Sequence, residues 1–246
     1  MDKLLYVAMS GAKETLRAQG ANNHNIANAS TTGFKADMTA FRSRAVSGPG
    51  FPSRVYATDS SLGSDLSPGP QVTTGNPLDI ALNGPGFFAV QDTAGNEAYT
   101  RAGDLHVDPS GVLVTATGHA VLGDGGTITV PPASSITIGG DGTVSVVPLG
   151  QTPLATSNVG RIKLVNPPGD TVAAGPDGLF RTRGGAPAET DAQTTVTSGV
   201  LESSNVNLAS SMVNMIELAR RFDLQVKALN TADNDGAAAT KLLQST

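Results

Sequence analysis

Two stretches at opposite ends of this chain carry the same spacing of apolar side chains, and that match limits what the chain can become. Near the start, Leu5, Met9, Ala12, Leu16, Gln19, Asn23 and Ile26 alternate by four and three residues. Near the end, Leu208, Met212, Met215, Ala219, Phe222, Val226 and Leu229 do the same. This is a heptad seam, which lines the named residues along one stripe of a helix and lets two such helices wrap together. The spacing predicts a first helix over 3–28 and a last helix from Asn207 or Leu208 to about Leu243, with Gly236 a weak point inside it. The last helix has a broader stripe than one partner needs, because Val213, Ile216 and Leu218 add to it. Several helical neighbours are therefore expected.

Between the seams the chemistry changes. Aromatic residues make up only 4% of the chain and there is no Trp, so a core has to be built from Val, Leu, Ile and Ala. Gly (29) and Pro (15) exceed ordinary usage and favour turns and short strands. Short period-two or apolar runs, such as Phe87–Gln91, Leu105–Val107 and 144–147, are separated by Asn83-Gly84, Asp124-Gly125, Asp141-Gly142 and Asp177-Gly178 turn pairs. The expected fold class is mixed α and β. N- and C-terminal helices form a coiled-coil-like assembly domain, with a central all-β domain, barrel or sandwich-like, between them in the sequence. Residues 1–45 hold the first helix and the segment after it, and 46–76 read as an extended Pro/Gly-rich linker. Residues 77–185 form the β domain, 186–206 a return connection and 207–246 the closing helix.

The end of the first helix is unusual. Asn22-Asn23-His24-Asn25-Ile26-Ala27-Asn28 carries four asparagines in seven residues, which helix propensity does not explain. An Asn at a seam position such as Asn23 either sets register and partner choice or belongs to a frayed, solvated helix end. Ser30-Thr31-Thr32-Gly33 then reads as a stop, with Gly33 suited to positive φ.

The chemistry of catalysis is missing. There is no cysteine, which excludes disulfides, thiol nucleophiles and thiolate metal sites. His24, His106 and His119 stand isolated, without metal-ligand spacing. Gly139-Gly140-Asp141-Gly142 lacks the Lys-Ser/Thr of a phosphate loop, and no Gly-x-Ser-x-Gly elbow occurs. No catalytic residue, metal or cofactor is expected. A net charge of −5 gives no footprint for nucleic acid, and no apolar run is long enough to span a bilayer. The first residues lack the basic start and continuous apolar run of a cleavable secretory signal.

Three blocks then point to a family. Asn22-Asn23-His24-Asn25-Ile26-Ala27-Asn28 followed by Thr31-Thr32-Gly33-Phe34-Lys35 is the first. Thr74-Gly75-Asn76-Pro77-Leu78-Asp79-Ile80-Ala81-Leu82-Asn83-Gly84-Pro85-Gly86-Phe87-Phe88 with Tyr99-Thr100-Arg101-Ala102-Gly103 is the second. Gly199-Val200-Leu201-Glu202-Ser203-Ser204-Asn205-Val206-Asn207 with Met215-Ile216 and Arg220-Arg221-Phe222 is the third. In this order the blocks resemble the flagellar axial proteins of bacteria, and among them the basal-body rod proteins. The opening Met1-Asp2-Lys3-Leu4-Leu5-Tyr6 and the length look most like the proximal-rod members, with the distal-rod members as the alternative.

The resemblance implies a structural subunit rather than an enzyme. It would be exported unfolded through the flagellar type III apparatus and polymerise helically with itself and other rod subunits into the periplasm-crossing shaft that transmits torque. It implies no small-molecule substrate. The expected assembly interface comprises Leu5, Met9, Leu16, Ile26, Leu208, Met212, Met215, Ile216, Ala219, Phe222, Val226 and Leu229, with Asn22, Asn25 and Asn28 supplying interhelix or backbone hydrogen bonds. Phe34 either anchors the chain leaving the helix or packs within the subunit. A secreted β-domain adhesin with coiled-coil ends is the competing reading from another class, and a hydrolase with an unrecognised site is a third.

Overall fold

A computed structural model describes residues 3–45, 55–151 and 155–244. The chain divides into one unit of Met1–Ala27, Asp37–Gly63 and Asn207–Thr246, and a second of Asn28–Ala36 and Ser64–Val206. The first is built on α1 (Lys3–Ala27) and α2 (Leu208–Gln244), which pack on each other, together with β1 (Asp37–Ala45) and β2 (Val55–Ser64), which pair as a two-stranded sheet.

The two helices meet along a seam, but not the one that the large apolar residues suggest. The buried residues of α1 are Ala8, Gly11, Ala12, Glu14, Thr15, Ala18 and Asn22, and of these only Ala12 lies on the expected stripe. On α2 they are Ser211, Leu218 and Ala232, with Phe222, Gln225 and Leu229 half-buried. At Gly11 a Cβ would lie 2.7 Å from Gln225 Nε2, the end of a flexible side chain that occupies the space above the glycine. Gly, Ala and Thr let two backbones approach closely, whereas Met9 and Leu16 on the same face would hold them apart. Those two side chains are instead 54% and 51% exposed. The helices run antiparallel, with Gly11 beside Gln225 and Asn22 bonded to Ser211.

The expected linker is a second difference. Residues 46–54 lie outside the described residues, but Val55–Ser64 form a ten-residue strand on β1. Its sequence is polar and does not alternate, so only the pairing makes it a strand.

In the second unit the chain forms β3 (Gln71–Thr73), β4 (Ile80–Asn83), β5 (Phe87–Gln91), β6 (Glu97–Thr100), β7 (Leu105–Val107), β8 (Leu113–Thr115), β9 (Leu122–Gly123) and β10 (Gly126–Thr127). It continues through β11 (Ala133–Ile138), β12 (Thr143–Pro148), β13 (Ser157–Arg161), β14 (Leu164–Val165), β15 (Val172–Ala174), β16 (Phe180–Thr182), β17 (Thr195–Ser198) and β18 (Val200–Glu202). The largest sheet has the order β14-β5-β6-β16-β15, and β11-β12-β13 form a separate three-stranded sheet. The remaining strands pair two by two, and no sheet closes as a barrel. The expected return connection is itself part of the fold: β17 pairs with β4 and β18 with β3, both antiparallel.

β5 shows why the core sits where it does. Phe88 enters one apolar cluster with Ile80, Leu113 and Ile162, while Phe87 and Ala89 enter another with Tyr99 and Phe180. Both faces of this strand are covered, so its sequence is a continuous apolar run rather than an alternation. The Tyr99 hydroxyl donates to Glu97 Oε1 at 2.9 Å and accepts the Ala188 N–H at 2.6 Å. Burial raises its pKa to about 12.

Candidate assembly interface

The spare surface of the first unit is apolar. With the small residues of α1 turned toward α2, Tyr6, Met9 and Leu16 face outward. On α2, Leu208, Met212, Val213, Met215, Ile216 and Leu224 are exposed, Val213, Ile216 and Leu224 by more than half. Side chains this large, set in a run along one helix, cost free energy when left in water. Each returns about 1.5–3 kcal/mol if a partner covers it fully. Beside them an open groove of about 400 Å³ runs along Ala18, Asn22, Asn25, Met38, Phe41 and Leu218.

Asn22, Asn25 and Asn28 at the end of α1 are occupied within the subunit, while Asn23 is exposed. Asn22 Nδ2 donates to the Ser211 carbonyl at 2.9 Å, a buried bond from one helix to the other. Asn25 donates to the Asp37 carbonyl at 2.9 Å and accepts the Asp37 N–H at 2.8 Å. That two-point contact does the work of a neighbouring strand and fixes where β1 starts. His24 Nδ1 lies 2.7 Å from Asp37 Oδ2. Asn28 accepts from Thr31 through both its side chain and its carbonyl, forming the turn that ends the helix.

The strongest polar arrangement lies in the second unit and was not foreseen from the sequence. Glu202 is 1% exposed and accepts from Lys35 Nζ at 2.6 Å, Arg101 Nη1 at 2.6 Å and the Gly69 N–H at 2.8 Å. Lys35 also donates to the Ser67 carbonyl at 2.6 Å, and Arg101 to the Gly84 carbonyl at 2.8 Å. The Arg101 guanidinium lies 5.8 Å from the centre of the Phe87 ring. Burial pushes the Lys35 pKa down more than its bond to Glu202 lifts it. Burial also works against the Glu202 carboxylate, but the Lys35 and Gly69 bonds and the two cations outweigh it and hold its pKa below the usual value. Removing one partner from such a buried set typically costs about 3–5 kcal/mol. Gly33 completes the arrangement. It has φ +67°, its N–H donates to the Glu202 carbonyl at 2.8 Å, and a Cβ there would fall 2.3 Å from the Arg101 carbonyl carbon.

Three family models match separate parts of the chain. They are the flagella basal body rod protein over residues 5–35, the flagellar hook protein FlgE/F/G D1 domain over 81–146, and the flagellar basal body rod FlgEFG protein C-terminal region over 197–242. Flagellar basal-body rod protein FlgF of Escherichia coli is 43% identical over 250 residues, with 99% of each chain covered. FlgF of Salmonella typhimurium is also 43% identical at the same coverage. The chain belongs to the flagellar basal-body rod protein family. Within that family it is FlgF-like: the rod protein FlgG of Buchnera aphidicola is 36% identical, over 90% of this chain and 94% of its own. Each matched segment of this rod protein supplies one charged member of the buried set, Lys35 from the first, Arg101 from the second and Glu202 from the third.

The residues expected at the assembly interface fall into two groups. Met9, Leu16, Leu208, Met212, Met215, Ile216 and Ala219 are exposed. Leu5, Asn25, Ile26, Asn28, Phe34, Phe222, Val226 and Leu229 are half-buried, and Asn22 is buried. The Phe34 carbonyl accepts the Asn205 N–H at 3.3 Å. Among the described residues no cluster of three His, Asp or Glu side chains could hold a metal, and no helix is long and apolar enough to cross a membrane.

Proposed function

We propose that this chain is a structural subunit of the flagellar basal-body rod, FlgF-like rather than FlgG-like, that it joins the rod through the outward apolar ridge of its helix pair, and that it has no enzymatic role. The observation that carries the interface is the choice of seam. α1 buries its small side chains against α2 and leaves Met9 and Leu16 free, while α2 leaves a run from Leu208 to Ile216 free. A monomer gains nothing from such an arrangement. A helical polymer repeats the contact at every subunit, and a heterologous interface permits an open filament. The partners in this reading are further copies and other rod subunits. The helix pair behaves as a short coiled coil, and the chain reaches the basal body through the flagellar export apparatus without a cleaved signal.

The test is complementation of a strain lacking the gene. Met215→Asp or Ile216→Asp protein should fold, with an unchanged near-ultraviolet circular dichroism spectrum, yet give no rods in electron micrographs of basal bodies and no swimming. Normal basal bodies with either variant would sink the interface, and normal basal bodies without the gene would sink the rod assignment.

A further inference from the structure

We propose that the Glu202 knot is a clamp that passes tension on either connecting segment of the chain into the β unit. The mechanical purpose rests on the rod function proposed above, whereas the clamp itself is a property of the second unit alone. The covalent chain enters this unit at Asn28, leaves at Ala36, re-enters at Ser64 and leaves after Val206. Every passage is tied down close to its end. The Gly33 N–H donates to the Glu202 backbone carbonyl at 2.8 Å, and Lys35 Nζ donates to the Glu202 carboxylate at 2.6 Å. The Ala36 N–H donates to Asn205 Oδ1 at 2.8 Å, and the Ala36 carbonyl accepts the Asp65 N–H at 2.8 Å. Asn205 Nδ2 donates to the Asp65 carbonyl at 2.8 Å and the Ser67 carbonyl at 3.1 Å.

A side-chain route leads from Lys35 and Glu202 into the core. Arg101 directly follows β6, with one guanidinium nitrogen on Glu202 and the other on the carbonyl of Gly84, in the turn between β4 and β5. A pull on 28–36 therefore reaches the turn between β4 and β5 through Lys35, one carboxylate and one guanidinium, alongside the covalent paths by which 64–70 runs into β3 and 203–206 continues from β18. Short charge-assisted bonds are stiff and directional, as a clamp requires. Apolar contacts alone would let the strands creep.

The clamp predicts where the unit opens when the carboxylate charge is removed. Backbone hydrogen exchange on the full-length chain should compare Gly33, Gly69 and Asn205, at the clamp, with Val90 and Ala98, in the core strands. In Glu202→Gln, the first three amides should exchange faster by about 100-fold or more, with the core pair unchanged. Equal acceleration in both sets would make Glu202 an ordinary core contact, and no acceleration would remove the clamp, so either result overturns the proposal. Should Glu202→Gln fail to fold, Glu202→Asp keeps the charge but is too short to span both cations, and the same pattern, smaller, is expected with the same two refutations. Swimming separates purpose from structure. A Glu202→Gln strain that swims normally while its clamp amides exchange faster overturns the mechanical role and leaves rod membership standing.

Discussion

The two units of this protein handle their side chains in opposite ways. In the β unit, Phe88, Tyr99, Ile162 and Leu164 are almost wholly out of water, and even its deepest charges, Lys35, Arg101 and Glu202, have found each other. In the helical unit the buried side chains are mostly small or polar, with Leu218 the large apolar one among them, while Met9, Leu16, Met212 and Ile216 lie in solvent. A unit whose large apolar groups are inside is finished as a monomer. One whose large apolar groups are outside is, in the function proposed above, finished by its neighbours. Burial of this kind therefore separates the part that gives the subunit its own stability from the part that gives it to the polymer.

That contrast breaks most easily in the β unit. Phe88→Ala deletes a ring packed on all sides and should cost about 3–5 kcal/mol, read as a lower denaturation midpoint of the tyrosine near-ultraviolet signal. A much smaller loss would mean that this core is looser than its burial suggests. The helix pair should respond less. Gly11→Leu forces a side chain into the space held by Gln225 and should cost about 1–3 kcal/mol, visible as reduced helical circular dichroism with the β unit's midpoint unmoved. Unchanged helicity would show that the close approach at Gly11 is not what sets the seam.

The smallest expected effect is at the surface of the β unit. Arg181 bonds Asp177 at 2.6 Å and Asp92 at 3.0 Å, and the Arg181 hydrogen bond lowers the Asp177 pKa to about 2. A carboxylate depressed on folding stabilises above its unfolded pKa and loses that contribution as pH falls through its folded value. The contribution should thus be complete above about pH 4 and fade toward pH 2. Both side chains are more than a third exposed, so water and salt screen the pair. Asp177→Asn should flatten this acid limb of a melting-temperature profile slightly, and an identical limb in the variant would place the acid sensitivity elsewhere.

Both helices were legible in the sequence because long amphipathic periodicity is the firmest local signal, and β5 because a four-residue apolar run between turns has few alternatives. On α1 the buried face differs from the expected stripe at every position but Ala12, whereas on α2 Phe222, Val226 and Leu229 of the expected stripe are half-buried. Reading periodicity from the largest apolar residues finds the stripe with the most to bury, but close packing selected the stripe with the least bulk. β2, β3, β17 and β18 fall in the expected linker and return because none carries an apolar run like that of β5, and each becomes a strand through its partner. The knot was out of reach for another reason. Lys35, Arg101 and Glu202 each stand in a block that marked the family, yet a charged residue in one sequence reads as solvated, and nothing local pairs residues so far apart.

A seam of small side chains has one more consequence: it is smooth lengthwise. A slip of seven residues along α1 would bring Ala18 to the place of Gly11, a difference of one methyl group, and Asn22 to the place of Thr15. Such a joint resembles a vernier with few detents. The buried bond from Asn22 to the Ser211 carbonyl is one of them. A slip of that size is about 10 Å at the rise of an α-helix. It would carry Met9 and Leu16 out of line with Met212 and Ile216, so that subunits with equal composition and equal helix content would no longer share a pitch.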